Sequence, residues 1–409
     1  MGVVSVSSDL TRRLAELVVS VGVSVDAGQD VVVLGWDVEH APIVRAVAEE
    51  AYLRGARYVS ALYWDAHVKH ARLQHAPGET LGFVPDWWEA ITAECIARHA
   101  AVIFVHGFAH PGLFDDIAPD RMARDIMPIT PPFWQAADRG ELAWTVVPGP
   151  TPSVAEGILG EPDTDRLWEL LAPILRLDAA DPQLAWREHL AQLRTRAALL
   201  DERAFTSLRF RGGGTDLMIR LLPQARWLTV ESQTNWGSSV VFNMPSEEVF
   251  TTPDHRYTEG VVRITRPLQL SRGGRTEGLV LRFSEGRIVE VEADRGAEFV
   301  RAQLEVDGGA ARLGEVALVD GSSPVGQSGM VFGDGLIDEN ATCHIAWGDG
   351  FVSAMPELPS DRDAQIALGF NRSDIHQDAM IGGPDVDVFG IDDRGGEVPV
   401  IIDDRWVLG

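Results

Sequence analysis

Histidine and carboxylate side chains interrupt apolar, strand-like segments in the C-terminal half of the chain and suggest metal chemistry. His376 and Asp378 are two residues apart, so on a strand both side chains point to the same face and can bind one metal ion or a metal pair. His344 is flanked by small and apolar residues, a setting that favours the neutral imidazole that binds metals. Each histidine taken alone also fits a hydrogen-bonded residue that binds no metal.

Two acidic positions extend this set of candidate ligands. Glu315 lies in the apolar run 312–319, where a buried carboxylate needs an ion-pair partner, a proton or a cation. Glu248 directly precedes the apolar pair Val249-Phe250, and Glu247 is the neighbouring alternative. Two carboxylates, two imidazoles and a further carboxylate able to bridge suit a pair of divalent ions, which lie about 3.5–4 Å apart in such sites.

Other motifs offer less chemistry. The Gly-rich segment 211–216 lies between two predicted strands and lacks the helix and downstream acid of a dinucleotide site, so it predicts a β-turn. Neither Cys95 nor Cys343 has a local protease signature, and two cysteines are too few for a disulfide framework or a four-thiolate zinc site. Lys69 is the only lysine, which disfavours both Schiff-base chemistry and a P-loop.

The charge balance bears on the partners of the protein. Its 409 residues include 61 acidic and 35 basic side chains, and the formal net charge is −26. Such a field repels nucleic-acid phosphates and anionic lipid head groups, so we expect neither nucleic acid nor a membrane as a partner. The first ten residues lack the order of a secretory signal, and the sequence contains no apolar run of about 18 residues. We therefore expect a cytoplasmic protein.

The elements that must position the candidate ligands differ between the two halves of the chain. In the first half, buried-strand patterns alternate with helical patterns and predict an α/β domain with a doubly wound sheet. The predicted strands are 30–36, 58–63, 101–106 and 142–147, and the predicted helices are 43–54, 87–99 and 121–139. A Pro- and Gly-rich stretch over 148–160 then leads into two amphipathic helices, 163–177 and 182–200, which form a predicted connector.

Beyond residue 205 the patterns change to short strands separated by turns. The predicted strands are 207–210, 216–221, 227–230, 240–242, 260–265, 279–283 and 288–293, with one helix near 296–306. We predict two domains: an N-terminal α/β domain with its helical connector over 1–200, and a mainly β (α+β) metal-binding catalytic domain over 201–409.

Several ordered motifs resemble the aminopeptidase T/aminopeptidase S family of metallopeptidases, the thermophilic leucyl aminopeptidase type. The similarity covers nearly the whole chain, and its motifs occur in the family's order and at family-like spacing. They are LAELV (14–18), GA (55–56), GTDL (214–217), NMPSEEVFT (243–251), LGE (313–315), DENATCH (338–344) and NRSDIHQDAMIG (371–382).

The resemblance implies a metal-dependent aminopeptidase that removes the N-terminal residue of short peptides. It implies two divalent ions per subunit, zinc, cobalt or manganese, which activate a bridging water and polarise the scissile carbonyl while Glu315 or Glu248 handles the proton. It also implies a two-domain subunit, a homodimer, and Glu339 as a further ligand or a partner of the ligands. The family's ligands fall on Glu248, Glu315, His344, His376 and Asp378.

One position departs from the family pattern. The family usually has a tyrosine seven residues after the first histidine ligand, where this chain has Phe351. The loss of one hydroxyl that stabilises an oxyanion costs on the order of 10²–10³ in rate. The departure leaves three possibilities: a slow enzyme, a replacement donor such as Tyr257, or different chemistry.

Two alternatives to the peptidase stay open at this point. An iron-dependent ring-opening dioxygenase of the dihydroxypyridine type resembles the same fold and would use His344, His376 and Asp378. Retention of both Glu248 and Glu315 argues against it, because they suggest two metals. The other alternative is a catalytically weakened protein that kept the ligands and binds metal or peptide.

Overall fold

The structure is a computed structural model that describes residues 6–107, 110, 112–125, 131–270 and 274–409. Two compact units are formed by Met1–His189 with Val230–Ser246, the N-terminal unit, and by Leu190–Thr229 with Glu247–Gly409, the C-terminal unit. The division into domains at residues 200 and 201 stays a prediction. Within the described residues, no helix combines the length and the apolar character needed to cross a lipid bilayer.

Helices and strands occur in both units, which confirms the expected mixture of the two. The α-helices of the described residues are α1 (Val6–Leu17), α2 (Ala41–Leu53), α3 (Ala66–His75), α4 (Asp86–Ala97), α5 (Pro119–Arg124), α6 (Pro131–Asp138), α7 (Pro152–Leu159), α8 (Thr164–Ile174), α9 (Pro182–Arg203), α10 (Ala297–Leu304), α11 (Pro324–Gln327), α12 (Gly335–Asp338) and α13 (Arg362–Leu368). A π-helical turn covers Val18–Gly22, and 3₁₀ turns cover Val38–His40, Gly78–Thr80, Glu339–Ala341 and Val352–Ala354.

The strands are β1 (Asp30–Gly35), β2 (Tyr58–Tyr63), β3 (Ala101–His106), β4 (Ala143–Pro148), β5 (Ser207–Gly212), β6 (Thr215–Leu221), β7 (Glu231–Gln233), β8 (Ser239–Val241), β9 (Val249–Thr251), β10 (Pro253–Arg263), β11 (Leu268–Gln269), β12 (Arg275–Thr276), β13 (Val280–Ser284), β14 (Arg287–Glu292), β15 (Leu313–Leu318), β16 (His344–Gly348), β17 (His376–Met380), β18 (Asp387–Ile391), β19 (Glu397–Ile402) and β20 (Arg405–Trp406). The helix predicted over 121–139 is represented by α5 and α6, and residues 126–130 lie outside the described part of the chain.

The N-terminal unit contains a four-stranded parallel sheet in the order β2-β1-β3-β4. Every residue of β3 is buried, and this explains its uninterrupted apolar sequence, because a parallel strand is covered on both faces. The neighbouring helix α2 buries Ile43, Val44, Val47 and Ala51 at helical spacing. The chain order therefore reverses at β1, which has β2 on one side and β3 on the other.

Two antiparallel sheets dominate the C-terminal unit. The larger has eight strands in the order β14-β13-β10-β6-β5-β18-β19-β20, and the smaller has four in the order β17-β16-β15-β9. The Gly-rich segment forms the hairpin turn between β5 and β6, where Gly213 and Gly214 have φ values of 58° and 91°. Positive φ at both central residues is typical of a type I′ turn, so the β-turn prediction is confirmed.

The strand predicted over 227–230 is wrong. Trp227 and Val230 are buried, but Leu228 makes only an isolated bridge to Phe250, and β7 begins at Glu231. An apolar run reports burial of the side chains and does not show whether the backbone has a ladder partner.

Glycines allow close backbone contacts around the four-stranded antiparallel sheet β17-β16-β15-β9. Gly348, the last residue of β16, has a φ of 110°, and a Cβ atom there would lie 2.0 Å from the carbonyl oxygen of Ile375. Gly314 in β15 lies at a register shift between β15 and β16, and a Cβ atom there would lie 2.1 Å from the carbonyl oxygen of Asp349. Both positions therefore need glycine.

We expect Gly348→Ala to lower the free energy of unfolding by at least about 2 kcal/mol, because it adds a steric clash to an unfavourable φ. Urea denaturation followed by tryptophan fluorescence measures the change. Gly329→Ala is the matched control, since Gly329 has a φ of 64° with open space around it, and should cost about 1 kcal/mol. Equal losses in the two variants would contradict the clash.

Candidate metal centre

The four-stranded antiparallel sheet of the C-terminal unit brings all five predicted ligands together. Glu248 immediately precedes β9, Glu315 lies in β15, His344 begins β16, and His376 and Asp378 lie in β17. These strands are neighbours in the order β17-β16-β15-β9, although the residues come from four separate stretches of sequence.

Strand register places the five side chains on one face. Ala346 lies opposite Glu315 on one side and opposite Asp378 on the other, and directly paired residues of antiparallel strands point to the same face. Ala317 pairs with His344 and with Phe250. Side chains two residues apart share a face, so Glu248 and His376 join the same set, and the small side chains of Ala346 and Ala317 leave space between the strands.

The ligand atoms form two groups that share Glu315. One group contains Glu248, Glu315 and His344, the other contains Glu315, His376 and Asp378, and within each group the candidate donor atoms lie within 4.8 Å of one another. His344 Nε2 is 3.0 Å from Glu248 Oε2 and 3.9 Å from Glu315 Oε1. His376 Nε2 is 3.2 Å from Glu315 Oε2 and 3.4 Å from Asp378 Oδ1. Each oxygen of Glu315 therefore faces a different histidine.

The spacing and an unsatisfied oxygen both fit divalent metal ions. Bonds of 2.0–2.1 Å in a tetrahedral site place neighbouring ligand atoms about 3.3 Å apart, close to the spacing of the atoms here. Within the described part of the chain, the buried Oε2 atom of Glu248 accepts no hydrogen bond of normal geometry, and its charged neighbour is the His344 imidazole, whose Nε2 is 3.0 Å away and would have to lose its proton to bind a metal. A buried carboxylate oxygen in this state is costly unless a cation binds it.

A backbone group orients His376. Its Nδ1 atom donates a hydrogen bond to the carbonyl oxygen of Asp349 at 2.9 Å, which leaves Nε2 facing Glu315 and Asp378. Such a hydrogen bond on the second ring nitrogen holds the tautomer and the ring orientation that a metal ligand needs. No signal in the amino-acid sequence indicates this contact, because a backbone carbonyl has no side-chain signature.

Burial and the neighbouring charges together shift the pKa values of the inner residues in the metal-free protein. Burial raises the pKa of Glu315 to about 7, even though His376 and His344 favour its charged form. Burial alone lowers the pKa of His344, but the carboxylates of Glu248 and Glu315 outweigh it and raise the pKa to about 9. Asp378 and Glu315 outweigh burial in the same way at His376, and raise its pKa well above the usual range.

Glu339 lies close enough to four of the five residues, all except His344, for their charges to shift its pKa. It is buried in the 3₁₀ turn Glu339–Ala341. Burial, followed by repulsion from Asp378, Glu248 and Glu315, raises the pKa of Glu339 well above its usual range. Without a metal, these surroundings therefore favour the protonated form of Glu339.

The structure also places the remaining candidates. Phe351 lies beside the cluster, with its ring centroid 5.2 Å from that of His376 in an edge-on arrangement and 4.9 Å from that of Phe250. Tyr257, the possible replacement donor, is 47% exposed and lies against the guanidinium groups of Arg220 and Arg256. Phe351, the ring in contact with His376, therefore brings no hydroxyl to the cluster.

The fold and the clustered imidazole and carboxylate side chains indicate a metal-dependent enzyme, and comparisons with known proteins identify it as a hydrolase. The profile of the family described as "Thermophilic metalloprotease (M29)" matches residues 7–406. Aminopeptidase T from Thermus thermophilus is 37% identical over 97% of this chain and 98% of its own. Aminopeptidase PepS from Streptococcus thermophilus is 32% identical over 97% of this chain and 98% of its own.

A solved structure agrees with the sequence comparisons. The structure of wild-type AmpT from Thermus thermophilus matches with a TM-score of 0.89 and 35% identity, and the match covers 97% of this chain and 99% of that one. The chain therefore belongs to the M29 family of thermophilic metalloproteases, as its motifs indicated. It is a metal-dependent aminopeptidase, a hydrolase that acts on peptides.

We expect metal binding to release at least about one proton per subunit at pH 7, because His344 must lose the proton that its raised pKa retains. The apparent affinity should therefore rise with pH up to about 9, the pKa of His344. Calorimetric titration of the metal-free protein with zinc, in buffers with different ionisation enthalpies, measures the release. Equal binding heats in all buffers would contradict it, and His344→Ala provides the control.

Proposed function

We propose that the enzyme removes the N-terminal residue of short peptides at a dinuclear centre formed by Glu248, Glu315, His344, His376 and Asp378. The observation that supports two ions is the sharing of Glu315 between two three-residue groups. Two bound divalent ions, zinc, cobalt or manganese, would supply Lewis acidity for the scissile carbonyl and for the attacking water.

The residues of the centre have distinct roles in this proposal. Glu315 bridges the two groups through its two oxygens, and Glu315 or Glu248 accepts the proton of the attacking water. His344 and His376 bind as neutral imidazoles through Nε2. Glu339 acts as a further ligand or hydrogen-bonds to the ligands.

Exposure indicates the side from which a peptide reaches the centre. The side chains of His376 and Asp378 are 30% and 23% exposed, whereas that of His344 is 1% exposed. The ligand-bearing face of the sheet is therefore exposed to solvent at β17 and buried at β16. A substrate with a free α-amine would approach along β17.

The similarity to Aminopeptidase T over most of the chain supports a wider proposal about the protein's organisation. In this proposal a doubly wound α/β domain over 1–200 precedes a mainly β catalytic domain over 201–409. The subunits form a homodimer, and the protein acts in the cytoplasm.

The grouping of the carboxylates supports the dinuclear peptidase over the ring-opening dioxygenase. A mononuclear site of His344, His376 and Asp378 would leave Glu248 and Glu315 buried without a cation. Carboxylate oxygens of both glutamates lie within 3.9 Å of a histidine Nε2 atom, which fits their use as ligands.

We expect protein purified without a chelator to contain about two divalent ions per subunit, and to release amine from leucine p-nitroanilide once cobalt, zinc or manganese is added. His376→Ala and Glu315→Ala should each abolish metal-dependent cleavage, because each removes a ligand. His75→Ala is the control, since His75 is an exposed histidine at the end of α3.

Two results would overturn the proposed function. About one iron per subunit with no amine release would favour the dioxygenase. Full activity in His376→Ala or Glu315→Ala would remove that residue from the mechanism.

We expect Phe351→Tyr to raise kcat, by up to about 10²-fold, because it restores a hydroxyl beside His376 that can stabilise an oxyanion. Steady-state kinetics on leucine p-nitroanilide measure the change. Phe351→Leu, which changes packing without adding a donor, should not raise kcat. Unchanged turnover in the tyrosine variant would mean that another donor already performs this role.

A further inference from the structure

Asn371 connects two backbone segments, residues 309–312 and Gly348, close to the metal centre. The residue is buried, and its Nδ2 atom donates hydrogen bonds to the carbonyl oxygens of Gly309 at 2.9 Å, Arg312 at 3.1 Å and Gly348 at 2.6 Å. None of these contacts involves a proposed ligand directly, and the proposed function gives Asn371 no role.

Each connected segment leads to a group of the centre. Arg312 lies three residues before Glu315, and Gly348 pairs with His376 in the ladder between β16 and β17. Asp349, the residue after Gly348, provides the carbonyl oxygen that accepts the hydrogen bond from His376 Nδ1. Asn371 itself lies five residues before His376. A single carboxamide therefore binds the backbone next to both Glu315 and His376.

The chemistry of these contacts requires an amide group. A carboxamide NH₂ has two hydrogens and no lone pair available on its nitrogen, so it can approach three carbonyl oxygens if one hydrogen is shared. The nearly isosteric carboxylate of aspartate offers only acceptors, and would place an oxygen against three other oxygens. Loss of the amide would remove one donor from each of these carbonyls, which has its own cost, although the Gly309 oxygen also accepts the Arg312 amide at 2.9 Å and the Arg312 oxygen the Gly348 amide at 2.8 Å.

The loop around Asn371 also has an independent attachment. Asp307 accepts hydrogen bonds from the Ser373 hydroxyl at 2.9 Å and from the Asp374 amide at 2.7 Å, and from the amides of Gly309 and Ala310. Removal of the Asn371 amide should therefore shift Gly348 and Asp349 while the loop itself stays folded.

We propose that Asn371 is a positioning residue of the metal centre, which orients His376 through the Asp349 carbonyl and places Glu315 through Arg312. The inference rests on the proposed function, because it takes His376 and Glu315 to be metal ligands.

The test compares Asn371→Asp and the milder Asn371→Ser with the wild-type enzyme, each as the full chain. Zinc affinity is measured by calorimetric titration, and coordination by the visible absorption spectrum of the cobalt-loaded protein. We expect affinity to fall about 10–100-fold, as it does when groups that orient ligands are lost, together with a changed cobalt spectrum. The serine variant, which keeps one donor, should show the smaller change.

Thr276→Val is the matched structural control. Thr276 is buried in the same unit, and its hydroxyl donates to the carbonyl oxygen of Arg295 at 2.9 Å. This variant should be less stable than the wild type in urea, yet keep wild-type zinc affinity and an unchanged cobalt spectrum.

The outcomes separate this inference from the proposed function. If both Asn371 variants keep wild-type zinc affinity and the wild-type cobalt spectrum while His376→Ala loses metal, the residue has only a structural role and the inference is wrong. If His376→Ala also keeps its full metal content, the proposed ligand set fails, and the inference fails with it.

Discussion

The burial of several ionisable side chains on one face of a small sheet is the constraint on which the centre depends. Glu315 and His344 have side chains only 4% and 1% exposed. Moving such groups out of water costs several kcal/mol for each charge unless they are paired or bind a metal. Imidazoles and carboxylates in mutual contact meet part of this cost, and divalent ions shared between them would meet the rest.

The neighbouring backbone shows the same constraint. Ala346 occupies the central position of the face with a methyl group, so the ligands around it can converge. Gly314 and Gly348 let the chain pass close to neighbouring carbonyl groups where any side chain would collide. The face therefore depends on small residues as much as on its charged ones.

Polar residues that contact the segment before β17 would support the proposed metal site without binding the metal. Asp307 and Asn371 make most of their hydrogen bonds to the backbone, and these bonds hold the strand from which His376 projects. The ring of Phe351 packs edge-on with His376 and cannot form a hydrogen bond as a tyrosine hydroxyl could. The proposed metal-binding residues of the motif 371–382 and the residue in it that holds the backbone are thus different.

The sequence by itself determined the types of residue in the centre and most of the elements that carry them. Uninterrupted apolar runs predicted the buried strands β1 and β3, and the spacing of His376 and Asp378 predicted a shared face, because these signals are local. Family motifs identified the activity. The apolar run 227–230 shows the limit of such signals. It correctly indicated buried side chains, but the strand predicted from it does not form.

Only the tertiary structure decided how these parts meet. The two groups share Glu315 because β15 pairs with β9 on one side and β16 on the other, and strand pairing between distant segments has no local signature. The acceptor that orients His376 is a backbone carbonyl, which every residue has. Its role therefore follows from where the fold places Asp349, and residue type cannot reveal it.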